Sequence, residues 1–357
     1  MASSSSSSSS ITNTALVLLL LHCMFCSFYT LLAKSKHNSS QHENPRLQQA
    51  YTALQAWKVV IYSDPSNLTS NWVGPSVCDY KGIYCAPSID DPHIQVVAGI
   101  DLNHADIAGF IPDEFGLLSD LALLHLNSNR FCGILPATFA NLTLLFELDL
   151  SNNRLTSVIP ANISGSTASV VVFANNNLGG CLPPSISKLA NSLEELLLIN
   201  TNLSGCLPPE VGFLYKLKVL DASNNKLVGS IPYSIAGLFQ LEQLNVAHNM
   251  LTGTVPAGIC ELLNLANFTL SYNFFCEEEG ICSNLTSRSI AFDDRQNCLP
   301  EKRFQRSKKE CDAAYEHPVD CFEFHCGDPA GAISPSPSPS THPAGAISPS
   351  PSPSTHP

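Results

Sequence analysis

Cysteine is the residue type that offers the most chemistry in this sequence, with fourteen in a chain of 357 residues. Cys23 and Cys26 lie in an apolar segment near the N-terminus, and twelve more follow between Cys78 and Cys326. An even dozen cysteines is typical of disulfide bonding in an oxidising compartment. Zinc binding is the alternative, but none of the twelve forms a Cys-x-x-Cys pair. The sequence therefore predicts disulfides, and neither a metal nor a cofactor.

Catalytic motifs are the next chemistry to consider. The sequence contains no Gly-x-Ser-x-Gly, His-Glu-x-x-His or phosphate-binding glycine loop. The triplet at residues 277–279 is all glutamate, which favours a solvated edge over a general-acid pair. We therefore expect a protein that binds rather than an enzyme.

The N-terminal segment predicts export. Residues 1–33 end in a mostly apolar stretch that contains LVLLLL and precedes polar residues, as in a signal peptide. An uncleaved anchor is the alternative, since the apolar stretch is long enough to span a membrane. The formal net charge of −12 argues against nucleic-acid partners.

Asn-x-Ser/Thr sequons support the same secretory route, since seven of them follow the signal segment. Seven sequons behind a signal peptide predict a glycosylated surface. The acceptor asparagines are Asn38, Asn67, Asn141, Asn162, Asn202, Asn267 and Asn284.

A repeat of about 24 residues must position all of these groups. Its most regular mark is a proline, at Pro112, Pro136, Pro160, Pro183, Pro208, Pro232 and Pro256. An asparagine stands seven residues before most of these prolines, and an L-x-x-L-x-L rhythm stands before it, as in LDLSNNRLTSVIP at 148–160. One such turn cannot bury its leucines alone, whereas stacked turns share a continuous core. The pattern predicts an α/β solenoid of about eight repeats over residues 96–275.

One face of this solenoid carries the candidate binding residues. Side chains that alternate with the inward leucines of each short strand project from the concave surface. The candidates on this surface are Asp101, His125, Glu147, Asp149, Glu195, Leu197, Ile199, Asp221, Asn245 and Tyr272. A row of carboxylates attracts a basic ligand, and Leu197 and Ile199 offer apolar anchor positions. The alternative is that the acids only keep the surface soluble.

The form L-x-x-N-x-L-x-G-x-I-P resembles the plant-specific leucine-rich repeat of extracellular receptors and polygalacturonase inhibitors, which implies a horseshoe-shaped solenoid. Leu47, Tyr51, Leu54, Trp57 and Ile61 fall at helical spacing and predict a capping helix within an N-terminal cap at 34–95. Trp72 and the spacing of Cys78 and Cys85 are similar to the cap of plant repeat proteins, which implies that these two cysteines pair.

A second disulfide is predicted from the geometry of the repeat. Cys181 and Cys206 each stand two residues before the proline of their repeat, in adjacent turns. Equivalent residues in stacked turns lie about 5 Å apart, which suits a disulfide. Two free buried cysteines are the alternative.

The C-terminal block at 276–327 contains Cys298, Cys311, Cys321 and Cys326, with the run PVDC at 318–321. This block resembles the cysteine-rich hinge of the leucine-rich repeat extensins. The resemblance implies an extracellular cell-wall protein that binds rapid alkalinization factor peptides, which are basic and contain cysteines, and influences wall assembly and cell expansion. It also implies a disulfide-linked homodimer. The basic run from Lys302 to Lys309 is a solvated face or a contact for pectin.

The tail at 328–357 repeats PAGAISPSPSPSTH and predicts an extended, disordered segment. It differs from extensin tails in having single prolines and no tyrosine. Two other functions remain open. A polygalacturonase-inhibitor-like defence protein would end soon after the repeats, and a receptor-like ectodomain would continue into a membrane span.

Overall fold

The computed structural model of the protein describes residues 44–156, 158–160, 163, 167–316 and 318–321. The predicted signal peptide, Asn38, Asn162, Cys326 and the Ser-Pro tail lie outside these residues. Within the described part of the chain, no helix is long and apolar enough to cross a membrane.

Short strands dominate the fold, as the repeat predicts. The helices are α1 Pro45–Val60, α2 Ala257–Cys260 and α3 Lys308–Tyr315. The strands are β1 Ile61–Ser63, β2 Ile83–Pro87, β3 Gln95–Asp101, β4 Ala108–Gly109, β5 Leu123–His125, β6 Cys132–Gly133, β7 Glu147–Asp149, β8 Arg154–Leu155, β9 Val170–Val172, β10 Glu195–Leu197, β11 Ser204–Cys206, β12 Val219–Asp221, β13 Lys226–Gly229, β14 Gln243–Asn245, β15 Met250–Val255, β16 Asn267–Thr269, β17 Phe274–Glu278 and β18 Ala291–Asp293.

The principal sheet has ten strands in the order β18-β16-β14-β12-β10-β9-β7-β5-β3-β2. Its strands from β3 to β18 pair in parallel, and β2 pairs antiparallel to β3 at the N-terminal edge. The register places the middle residue of each three-residue strand against that of the next, as in Leu196 against Leu220. These middle residues point into one continuous core and are almost fully buried, except Phe292 of β18, which is partly buried. The leucine rhythm therefore predicted the sheet and its register correctly.

Buried asparagines hold the turns that follow the principal sheet. In a representative case, the Asn129 amide donates to the carbonyl oxygens of Leu102 and Leu126 at 2.7 and 3.0 Å, and its Oδ1 accepts from the Ile107 N–H at 2.9 Å. No regular ladder serves these backbone groups, so the side chain replaces it. Thr201 substitutes in one repeat, where its hydroxyl donates to the Leu198 carbonyl oxygen.

A second set of strands lies on the side of the solenoid, where each repeat has its L-x-G-x-I-P segment. Strands β11, β13, β15 and β17 form a parallel sheet, and β6 pairs with β8. After each of these segments the repeat proline leads into a short helix, a 3-10 helix in most repeats. Proline suits this position because it has the extended backbone of a residue preceding a helix and needs no amide partner. We call the surface formed by β11, β13, β15 and β17 the lateral face.

The N-terminal cap covers the first repeat with helix α1. Leu47, Leu54 and Trp57 are buried as predicted, and the Trp57 ring packs edge-on against Phe115 with centroids 5.0 Å apart. Ile61 is a correction: it begins strand β1, which pairs with β4, rather than continuing the helix. The predicted Cys78–Cys85 disulfide is present, with its Cα atoms 5.5 Å apart.

The sheet continues beyond the predicted end of the repeats at residue 275. Strand β18 pairs in register with β16, and Asn297 repeats the asparagine contacts, accepting from the Phe275 N–H at 3.1 Å. A Cys260–Cys282 disulfide secures this end. The missed repeat lacks its proline, and Asp294 stands where earlier repeats have an apolar residue such as Leu270.

The predicted Cys181–Cys206 disulfide is wrong. Cys206 pairs with Cys321, 115 residues later in the chain, and Cys181 is bonded to another cysteine. Equivalent side chains of stacked turns project side by side rather than toward each other, so a suitable Cα spacing does not suffice. Cys206 instead meets the C-terminal hinge, the segment at 298–321.

The hinge packs along the lateral face. A Cys298–Cys311 disulfide closes it, and Ser307 and Glu310 form a capping box at the start of α3. The Tyr315 hydroxyl donates to the Phe274 carbonyl oxygen at 2.6 Å. The hinge then returns toward the middle of the solenoid, where Cys321 is bonded to Cys206.

Candidate functional site

The concave face consists of two columns of side chains that flank the buried middle residue of each strand. The first column is Gly99, Leu123, Glu147, Val170, Glu195, Val219, Gln243, Asn267 and Ala291. The second column is Asp101, His125, Asp149, Val172, Leu197, Asp221, Asn245, Thr269 and Asp293. Neighbours within a column lie about 4.8 Å apart, and the two columns about 6.7 Å apart.

Half-buried apolar residues form the centre of this face. Val172 on β9 lies beside Leu197 on β10, and Val170 on β9 and Val219 on β12 complete the patch. The predicted anchors Leu197 and Ile199 belong to this patch, but each is half-buried rather than fully exposed. Sequence reasoning missed the valines, although their alternation on a strand was a readable signal.

Acidic residues flank the apolar patch on both sides. Glu147 and Asp149 lie on β7 toward the N-terminal end, and Asp221 lies on β12 toward the C-terminal end. Glu195 lies inside the patch, beside Val170 and Val219. The structure therefore brings together most of the predicted acids, and it surrounds an apolar centre with negative charge.

The aspartates of the second column also have a structural role. Asp101, Asp149 and Asp221 each accept a hydrogen bond from the backbone N–H two residues later, at 2.9 to 3.0 Å. This contact closes the turn after the strand, and Asn245 makes the same contact with Ala247 at 3.1 Å. The turn therefore fixes the positions of these second-column residues. Glu147 and Glu195 lie in the first column, away from this turn.

His125 is a correction to the predicted concave surface. The residue lies on β5 as expected, but it is buried, with its Nε2 atom 3.3 Å from Glu147 Oε1. Burial alone would lower the pKa of His125, but the hydrogen bond and charge of Glu147, together with Asp101 and Asp149, outweigh it and raise the pKa. His125 is therefore buried within the acidic cluster, where a ligand on the concave face would not reach it.

Negative charge also affects Glu195. Burial, followed by the charges of Glu147 and Glu194, raises the pKa of Glu195 above its ordinary value. Lys218, whose Nζ lies 2.6 Å from Glu194 Oε2, partly offsets this effect. Sequence reasoning missed Glu194, Lys218 and Glu242, which precede the first column by one residue. Their adjacency to Glu195, Val219 and Gln243 was the available signal.

Tyr272 lies at the edge of the concave face rather than in a column. It has a left-handed backbone conformation in the turn after β16, and its ring stacks on His248 with centroids 4.2 Å apart. Arg295 lies one turn further on and forms a bidentate pair with Asp293 at 2.8 and 2.9 Å. This end of the face therefore carries an aromatic stack and a paired arginine, unlike the acidic centre.

The sequon asparagines occupy different surfaces. Asn67 is exposed in the N-terminal cap, and Asn141 is exposed at the end of a 3-10 helix on the far side of the repeat. Asn202 is half-buried, and its Nδ2 donates to Asn177 Oδ1 at 3.0 Å. Asn284 lies in the 3-10 helix Cys282–Arg288. Asn267 is exposed in the first column of the concave face.

These features define a class: a plant-type leucine-rich-repeat solenoid with capped ends and an acidic, apolar-centred concave face. The leucine-rich repeat family model matches residues 120–142, 144–166, 216–238 and 240–262. Leucine-rich repeat extensin-like protein 6 of Arabidopsis thaliana is 53% identical over 335 residues, which cover 80% of this chain and 70% of that protein. The chain belongs to the leucine-rich repeat extensin-like family.

A longer relative is leucine-rich repeat extensin-like protein 2 of the same plant, 49% identical over 337 residues. The match covers 81% of this chain but 43% of that protein, so the chain spans less than half of its length.

Solved structures of plant receptor ectodomains share the fold. The ectodomain of the Arabidopsis receptor kinase HAESA, in complex with an IDA peptide hormone, has a TM-score of 0.53 and 28% identity. That match covers 71% of this chain and 46% of the receptor. The ectodomain of GASSHO1/SCHENGEN3 from Arabidopsis thaliana has a TM-score of 0.57 at 23% identity, over 71% and 33% of the two chains, and this likeness concerns the fold alone.

Proposed function

We propose that this protein is a secreted cell-wall protein, not an enzyme, that binds basic cysteine-containing signalling peptides of the rapid alkalinization factor type. Through that binding it influences wall assembly and cell expansion. The observation that carries the proposal is the half-buried apolar patch on β9, β10 and β12, flanked by Glu147, Asp149 and Asp221.

This arrangement suits a ligand with an apolar anchor between basic residues. An apolar side chain of the ligand would be desolvated against Val172 and Leu197. The flanking carboxylates would pair with lysine or arginine residues of the ligand at the rim. The extensin-like family supports a location in the plant cell wall, and the HAESA complex supports peptide recognition by this kind of ectodomain. The exposed hinge residues Arg303, Lys308 and Lys309 add a surface for pectin or another anionic wall polymer.

The test is a calorimetric titration of the full secreted protein with oxidised peptides of this type. The variant combines Glu147→Gln, Asp149→Asn, Glu195→Gln and Asp221→Asn, in which the asparagines retain the turn acceptors. We expect at least a tenfold loss of affinity, about 1.4 kcal/mol.

The matched control neutralises four acids on the opposite side of the repeats: Asp113, Glu114, Glu210 and Glu261. It changes the net charge by the same amount and should leave the affinity unchanged. Equal losses in the two variants would show only long-range attraction. No binding by the wild type, with inhibition of a pectin hydrolase, would favour the inhibitor-like function instead.

A further inference from the structure

The sequon at Asn267 differs from those at Asn67, Asn141 and Asn202 in the surface that it occupies. Asn67 and Asn141 project from the cap and from the 3-10 helix side. The amide of Asn202 is engaged by Asn177. Asn267 begins β16 and is exposed in the first column, between Gln243 of β14 and Ala291 of β18.

The local geometry leaves the reacting atom of Asn267 accessible. The Thr269 hydroxyl donates to Asn267 Oδ1 at 3.3 Å, so the oxygen side of the amide is directed along the strand. The nitrogen atom Nδ2, to which an N-linked sugar attaches, takes the other side of the amide. Ala291 is too small to cover it, and no described strand lies above this face.

We propose that Asn267 carries an N-linked glycan, and that this glycan covers the C-terminal end of the concave face. The bond forms between Asn267 Nδ2 and the anomeric carbon of an oligosaccharide donated by a lipid diphosphate. The lipid diphosphate leaves and the amide nitrogen loses one proton. The disulfides of the structure are consistent with passage through the oxidising compartment in which this reaction occurs.

The position of the glycan divides the concave face. Asp221 lies two strands and one column from Asn267, about 12 Å away, so the acidic and apolar centre stays open. Asn245 and Tyr272, in contrast, lie within one strand or one turn of the sugar. As a consequence that rests on the proposed function, a peptide would be confined to strands β3 to β12, and Asn245 and Tyr272 would not contact it.

The experiment compares three forms of the secreted full-length protein. Thr269→Val removes the hydroxyl that the sequon requires but keeps a β-branched side chain for the strand, whereas Thr269→Ser keeps the sequon. Peptide mass spectrometry after enzymatic deglycosylation measures occupancy at Asn267. Oxidative footprinting then measures the reactivity of Tyr272, with exposed Tyr233 on the opposite side as the internal control.

We expect Asn267 to be occupied in the wild type and in Thr269→Ser, and unoccupied in Thr269→Val. Tyr272 should become about twofold more reactive in Thr269→Val, because His248 already covers one face of the ring and the glycan would cover much of the part that stays exposed. Tyr233 should not change. An unmodified Asn267 in the wild type, or an occupied Asn267 with equal Tyr272 reactivity in all forms, overturns the proposal.

A peptide titration separates this proposal from the proposed function. Binding by none of the three forms, with Asn267 occupied and Tyr272 shielded, would reject peptide binding and keep the glycan. Binding by the wild type that weakens on Asn245→Ala would contradict the confinement, because that residue would then contact the ligand beneath the sugar.

Discussion

The concave face and the lateral face are built from the same repeats but are completed by different parts of the chain. Side chains of the concave columns contact residues of their own repeat or of an adjacent one, as Glu147 contacts His125. The lateral face is covered by the hinge, which Cys321 fixes to Cys206 across 115 residues. One face is therefore a local product of the repeat, and the other depends on a distant segment.

This difference separates stability from binding. Residues on the lateral face should contribute to the free energy of unfolding with little effect on ligand affinity, and the concave acids should do the reverse. The following experiments test that separation, from the largest expected change in unfolding free energy to the smallest.

The largest effect is expected from removing the hinge attachment. Replacing Cys206→Ser together with Cys321→Ser opens a covalent loop of 115 residues and should lower the free energy of unfolding by about 2–5 kcal/mol. Denaturant unfolding followed by circular dichroism measures the loss. Cys132→Ser is the control, because Cys132 is a free thiol and should change stability little. A matching loss of peptide affinity in the double variant would contradict the separation of stability from binding.

A buried asparagine should rank second. Asn249→Ala removes the bonds that its amide donates to the Ala222 and Val246 carbonyl oxygens, at 3.0 and 3.1 Å, and leaves the Leu227 N–H without its acceptor. We expect a loss of about 2–3 kcal/mol, the cost of buried backbone groups left unpaired. The control Asn245→Ala, on the concave face, should cost about 1 kcal/mol. Equal losses of stability for the two variants in thermal unfolding would contradict the structural role assigned to Asn249.

His125 should make stability depend on pH. Its pKa is raised in the folded state, so its protonation stabilises the fold. This contribution is fully present below the unfolded pKa of about 6.5 and is lost as the pH rises through the folded value. His125→Asn should therefore reduce the fall in unfolding free energy that urea titrations measure as the pH rises above about 6.5. An unchanged slope in the variant would show that other groups cause the dependence.

Replacing Glu195 should produce the smallest effect on stability. Stability should depend on pH in the direction opposite to that expected of a salt-bridged acid. The raised pKa of Glu195 means that the folded state resists ionisation, so stability falls as the pH rises from the unfolded pKa to the folded one. Glu195→Gln should stabilise the protein at pH 7 by less than about 1 kcal/mol. Thermal unfolding at pH 4 and pH 7 measures it. A destabilised variant at pH 7 would indicate that Lys218 dominates the environment of Glu195.

Much of the fold was readable from the sequence because its contacts are local in the repeat. The leucines at 193, 196 and 198 predicted strand β10, its inward face and its register with β12, since each repeat sees the same neighbour geometry. Within the candidate site, Glu147, Glu195 and Leu197 alternate with buried leucines as predicted, since alternation on a strand fixes the direction of a side chain. His125 was misplaced because alternation does not reveal depth, and its neighbours on β3 and β7 enclose it.

The sequence by itself determined the solenoid, the principal sheet, the capping helix and the sign of the charge on the concave face, and the resemblance to plant repeat proteins added the Cys78–Cys85 pair. Only the tertiary structure decided that Cys206 pairs with Cys321, that β18 extends the sheet, and that Asn267 is exposed on the concave face. The physical reason is distance along the chain. A repeat determines contacts one turn away by its period, but the return of a hinge to a site 115 residues earlier depends on the packing of the whole lateral face.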